Sequence, residues 1–129
     1  MSVVLGYVPN EKGRAALEAA VQETRFRGGP LVVVNSTRAD RLVDPRYAQE
    51  EGLADLEQAL AGSCVEYHLR HSSSQHTAAE VLLDVAREVS AELIVIAVRH
   101  RTAVGKLLLG STAQTVILDA PCSVLAVKS

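Results

Sequence analysis

Aromatic side chains are nearly missing from this chain, which has three tyrosines, one phenylalanine and no tryptophan in 129 residues. A face of stacked aromatics for single-stranded nucleic acid is thereby excluded. An excess of basic charge is missing too. Thirteen Lys and Arg stand against fifteen Asp and Glu, a net charge of −2. That balance argues against a protein that coats DNA or RNA through its phosphates. Only two cysteines occur, Cys64 and Cys122, too few for a disulfide framework. Both stand at the starts of apolar runs and read as buried, inert thiols in a reducing compartment. No apolar run approaches the roughly 18–20 residues that a membrane span needs. The start, Met1-Ser2-Val3-Val4-Leu5-Gly6, lacks the basic segment and cleavage site of a secretory signal. The expectation is a cytoplasmic protein with neither a nucleic-acid nor a membrane partner.

What remains is an ordinary globular composition, 48% hydrophobic and 22% charged. The length suits one domain, residues 1–129, with a core that needs no staples. Short apolar runs alternate with amphipathic segments. Val3 to Val8 reads as a first strand. Asn10 can cap a helix to about Arg27, with Ala16, Leu17, Ala20, Val21 and Thr24 on its inner face. Gly28-Gly29-Pro30 stops that helix. Leu31 to Asn35 is a second strand, uniformly apolar up to its end. The charged stretch from Ser36 to Pro45 reads as a loop, and a helix from about Arg46 to Ala61 presents Leu53, Leu56 and Leu60.

Cys64 to Arg70 reads as a third strand and His71 to His76 as a loop. Thr77-Ala78-Ala79-Glu80 forms a capping box for a helix presenting Val81, Leu82, Val85, Ala86 and Val89. Leu93 to Val98 is the most apolar strand. Ser111-Thr112-Ala113-Gln114 reads as a second capping box, Pro121 ends the helix it opens, and Val124 to Val127 is a fifth strand. This regular alternation implies an α/β fold: a parallel sheet with helices on both faces, a three-layer αβα sandwich. Ligands of such sheets bind outside the carboxyl ends of the strands, where the strand order switches. That rule points at Tyr7 to Asn10, Val34 to Thr37, and Val98 onward.

The common nucleotide and nucleophile motifs fail. Gly105-Lys106 is followed by Leu107, so no P-loop forms, and neither Gly-x-Gly-x-x-Gly after the first strand nor Gly-x-Ser-x-Gly occurs. His68, His71 and His76 have no cysteine or carboxylate at zinc-ligand spacing, so no metal site is expected. The stretch from Ala97 to Gln114 is more informative. No acid occurs between Leu93 and Leu118, whereas Arg99, Arg101 and Lys106 make this stretch +3 and leave −5 on the rest. A basic loop running into a helix start at Gly110-Ser111-Thr112 suits an anion, because a helix N-terminus favours phosphate. The opposing reading has Ser111 merely capping its helix and the basic side chains merely solvated.

The element order and the segments Gly110-Ser111-Thr112-Ala113-Gln114 and Ala120-Pro121-Cys122-Ser123-Val124-Leu125-Ala126-Val127 resemble the universal stress protein family over essentially the whole chain. The Gly-Lys-Leu-Leu-Leu-Gly-Ser run is similar to the small single-domain form common in actinobacteria. The resemblance implies an adenine-nucleotide-hydrolase-like fold, a five-stranded parallel sheet of order 3-2-1-4-5. It also implies a homodimer through the last strand, at Val124, Leu125, Ala126 and Val127.

ATP-binding members carry Gly-x2-Gly-x9-Gly-Ser/Thr. Gly110 and Ser111 match its end, but its first two glycines fall at Ala97 and His100. The aspartate that follows the first strand in such members falls at Val8, and the strand end that meets adenine through main chain falls at Val34 and Asn35. Arg99, His100, Arg101 and Lys106 could supply side-chain charge where the family uses bare backbone, with Thr112 beside Ser111 at the helix start. The expectation is a non-catalytic stress-response binding module with a degenerate site for ATP, AMP or another anion. His100 is the one candidate acid–base group in the basic loop, so turnover is not expected. The alternatives are a protein-interaction dimer without nucleotide and, less favoured, a weak nucleotide hydrolase.

Overall fold

A computed structural model sets the apolar runs of the sequence side by side in one parallel sheet. The structure describes residues 2–7, 11–36, 56–72, 77–98 and 110–128. The elements in chain order are β1 (Ser2–Tyr7), α1 (Glu11–Arg27), β2 (Leu31–Ser36), α2 (the helical residues 56–61), β3 (Tyr67–Ser72), α3 (Ala78–Glu88), β4 (Ala91–Val98), α4 (Ser111–Asp119) and β5 (Ser123–Lys128).

The strand order is β3-β2-β1-β4-β5, and every neighbouring pair is parallel. The chain thus walks outward from β1 to β3, then crosses back to the far side of β1. Right-handed crossovers in opposite directions must lie on opposite faces. Two cores result. One joins Leu5, Val33 and Val95 to Ala16, Leu17 and Ala20 of α1 and to Leu56 and Leu60 of α2. The other joins Val4, Val32, Ile94 and Ile96 to Leu82, Val85 and Ala86 of α3 and to Ala113 and Val116 of α4. The expected three-layer αβα sandwich and its strand order are therefore present. Uniformly apolar strands are what a sheet covered on both faces requires.

Local chemistry sets the ends of the elements. Gly28 adopts φ +78 and its N–H donates to the Thr24 carbonyl at 2.8 Å, closing α1. Thr24 is polar on the inner face, but its hydroxyl donates to the Ala20 carbonyl at 2.7 Å and is satisfied there. At the start of α3, Thr77 Oγ1 accepts the Glu80 N–H at 3.2 Å, the hydroxyl half of the expected capping box. Gly6 has another role: a Cβ there would lie 2.8 Å from Leu82 Cδ1, so the missing side chain lets α3 approach β1.

Three expectations need correction. First, β3 begins at Tyr67, not Cys64, and it continues through His71 and Ser72, which had read as loop. The chain leaving α2 is held by bonds from the Gly62 N–H to the Gln58 carbonyl and from the Ser63 N–H to the Leu60 carbonyl, both 3.1 Å. It then turns left-handed at Cys64, with φ 61, a conformation no strand contains. Second, Cys64 is consequently exposed and not a buried thiol, while Cys122 is half-buried and its burial pushes the thiol pKa up. Third, the cap of α4 is Gly110, and Ser111 is the first helical residue. The expected box at Ser111 is thus one residue out of frame. The anticipated helix from Arg46 is described only at residues 56–61, with Leu53 outside the described residues.

Candidate functional site

Because all five strands are parallel, their carboxyl ends lie along one edge of the sheet. The order reverses between β1 and β4, so that edge carries the switch point where a crevice opens. β1 ends at Tyr7, β2 at Ser36 and β4 at Val98. The chain leaving β4 returns at Gly110 to start α4, whose Ala113 and Val116 pack in the same core as Val98, Ile96 and Val34.

The start of α4 lies at this edge. An α-helix leaves its first N–H groups without intrahelical partners. At α4 the cap is a glycine, which has no side chain to bond back to them. The first turn carries no acidic residue, so nothing in it opposes an anion. Gly110 itself has φ −65 and ψ 161, ordinary extended backbone open to any residue. Among the described residues nothing lies within 4 Å of the place its Cβ would take. Neither conformation nor crowding within the described chain requires glycine there. Thr112 follows half-buried, and Ser111 is the first residue of the helix.

The other anticipated residues fall unevenly. Val8, Arg99, His100, Arg101 and Lys106 lie outside the described residues. Ala97 lies within β4, facing the α1 core and paired in register with Val127. Its φ is not positive, so the alanine sits there without the strain that a glycine-only position would impose. Val34 is fully buried in the opposite core, and the sheet pairs it with Gly6 and Arg70. Val124, Leu125, Ala126 and Val127 are on β5, an edge strand that pairs only with β4 among the described residues. Ala126 is exposed and the other three are half-buried. His68 is exposed beside Glu66, at 3.7 Å.

One residue was not among the expected side-chain contacts. Asn35, next to the last residue of β2, is 7% exposed, and its Oδ1 has no hydrogen-bond partner among the described residues. A single polar residue closing the run Leu31-Val32-Val33-Val34 was the available signal. The described ion pairs are peripheral by comparison. Arg70 bonds Glu88 at 2.7 and 3.1 Å and holds its carboxyl below the usual range, but the pair is exposed and contributes little.

The model of the universal stress protein family matches residues 1–128. The chain belongs to this family. A universal stress protein of Mycolicibacterium smegmatis is 43% identical over 126 residues, 98% of this chain and 96% of that protein. Among solved structures, a universal stress protein from Archaeoglobus fulgidus superposes with a TM-score of 0.80 at 28% identity, covering 98% of this chain and 92% of that one. A universal stress protein from the same organism, solved in complex with dAMP, gives 0.76 at 26% identity, covering 98% and 96%. The family and fold anticipated from the sequence are thereby established for this universal stress protein.

Proposed function

We propose that this universal stress protein is a non-catalytic stress-response binding module of the cytosol, holding an adenine nucleotide or a related phosphate at the carboxyl edge of its sheet. The observation that carries the reading is the start of α4, where the cap is a glycine that makes no side-chain bond to the first N–H groups and the first turn holds no acid. Such a terminus offers N–H donors and a favourable dipole to phosphate. The basic side chains Arg99, Arg101 and Lys106 precede it in the chain and add charge of the right sign. The dAMP complex of the Archaeoglobus relative supports a nucleotide as the ligand. The substitutions at Val8, Ala97 and His100 leave the phosphate end, Gly110-Ser111, as the part of the family's motif that is retained.

Titration with a fluorescent ATP analogue, with ATP, AMP and pyrophosphate as competitors, tests the proposal. Saturable binding is expected, and Ser111→Ala should weaken it by about 10- to 100-fold, the range for one hydrogen bond to a charged group. Absence of saturable binding at millimolar ligand would overturn the nucleotide reading. Phosphate release that is measurable in the wild type and falls on His100→Ala would overturn the non-catalytic part.

A second reading, a homodimer through β5, is favoured by the edge position of that strand. An edge presents unpaired N–H and C=O groups that a second chain can complete. Ala126 is exposed, so Ala126→Glu removes no core contact. Sedimentation should show a wild-type dimer and a monomeric, still folded variant. A monomeric wild type would exclude this assembly.

A further inference from the structure

We infer that residues 61–72 open from the sheet as one unit, and that Arg25 is the strap that holds this unit shut.

The unit has little apolar anchorage. β3 lies at the edge of the sheet opposite β5 and pairs only with β2 among the described residues. Leu56 and Leu60 fix α2 in the core just before the unit begins. From residue 61 to residue 70, however, Ser63 is the one buried residue, at 6% exposed. Tyr67 and Leu69 lean only half-buried against the core beneath α1. Arg70 ties the strand to Glu88 of α3, but that pair is exposed and adds little. Segments with few buried apolar contacts open locally, at a lower free energy than global unfolding.

The one buried residue is polar, and a distant side chain holds it. The Ser63 carbonyl accepts from both Nε and Nη2 of Arg25, with Nε at 3.1 Å, across 38 residues of chain. Arg27, one place removed on α1, pairs instead with Glu23 and Glu92. A guanidinium on a carbonyl makes a charge-assisted bond, stronger than a neutral one. Immediately beyond, Cys64 is held at φ 61, a conformation disfavoured for any residue with a Cβ. The closed turn is thus kept against a local bias by a bond from α1. Release of the turn frees the Leu31 N–H from the Glu66 carbonyl, 2.8 Å away, and then the ladder from Leu31 and Tyr67 up to Ser36 and Ser72. Opening uncovers the edge of β2, whose run Leu31-Val32-Val33-Val34 is buried in the closed sheet. An apolar edge is a template for pairing with another chain, and the strap keeps it covered.

Native-state hydrogen exchange tests this, followed amide by amide by NMR at several low urea concentrations. In the wild type, the Leu31 N–H and the ladder amides of β3 should exchange at one common free energy with a shallow dependence on urea. Amides of β1 and β4 should exchange at least about 100-fold more slowly, with the steep urea dependence of global unfolding. Arg25→Ala should speed exchange of the unit by about 10- to 100-fold, the range for one hydrogen bond to a charged group. Arg25→Lys, which keeps the charge and a donor, should restore part of the protection. Arg27→Ala should leave the unit's rates unchanged, because its ion pairs lie outside the unit. Cys64→Gly removes no core contact and eases the left-handed turn, so it should slow opening by about two- to fivefold. Exchange of β3 and β1 at one free energy and one urea slope would mean that the sheet opens only as a whole, and would overturn the unit. Unchanged rates in Arg25→Ala, or faster exchange in Cys64→Gly, would overturn the strap.

Discussion

Gly6→Ala is expected to destabilise the protein by about 1–3 kcal/mol, the cost of overpacking a core, and Leu82→Ala made beside it should remove that cost. The added Cβ would lie 2.8 and 3.2 Å from the two Leu82 methyls, with Ile96 Cγ2 at 3.6 Å. Leu82 is buried in one core with Val4, Val85 and Ile96, so its methyls must shift within that core to admit the new Cβ. Leu82→Ala alone should cost about 2–5 kcal/mol through the cavity it leaves. In that background the new methyl at residue 6 fills part of the void. It also removes the entropic cost of glycine in a strand, about 0.5–1 kcal/mol. The two changes should therefore couple by about 2–3 kcal/mol in a double-mutant cycle followed by urea unfolding. Additive losses, within about 0.5 kcal/mol, would show that α3 does not rest on β1 through this pair. The consequence reaches the carboxyl edge of the sheet, because α3 and α4 share one core and the start of α4 is the proposed phosphate site.

The sheet was legible in the sequence because its central strands are buried on both faces. Val3 to Leu5, Leu31 to Val34 and Leu93 to Ile96 had to be apolar throughout, and no helix period competes with such short runs. Edges are less legible, since half-exposed strands tolerate polar residues. β3 carries His68, Arg70, His71 and Ser72, so its last two residues, His71 and Ser72, read as loop, while the apolar pair Cys64-Val65 before it reads as strand. The backbone decided otherwise, by the left-handed turn at Cys64. At α4 the pattern Ser-x-x-Gln suggested a hydroxyl cap, yet the helix starts one residue earlier and is capped by glycine. Glycine ranks close enough to serine as a cap that local preference cannot choose the frame. The proposed phosphate end, Gly110-Ser111, rests in the sequence on a motif and a charge imbalance. Asn35 was legible only as a strand end, because an Oδ1 without a partner among the described residues becomes evident only when burial is known.

Gly110→Asp should move stability and ligand binding in opposite directions. The φ and ψ of Gly110 suit any residue, and no described atom lies within 4 Å of the new Cβ, so an aspartate fits the cap position. Its carboxylate can accept from the N–H groups of the first turn, and its charge meets the positive end of the helix dipole. That should add about 0.3–1 kcal/mol and raise the melting temperature by roughly 1–5 °C. The same carboxylate takes the donors that a phosphate would use and places a negative charge beside it. Affinity for ATP and for pyrophosphate should fall by at least about 100-fold, which corresponds to about 2.7 kcal/mol. Gly110→Asn separates the two effects, because it caps without charge and should gain stability while losing less affinity. Undiminished binding in Gly110→Asp would place the anion away from α4. A fall in melting temperature would mean that the chain itself requires glycine at residue 110, and the argument from an open cap position would fail.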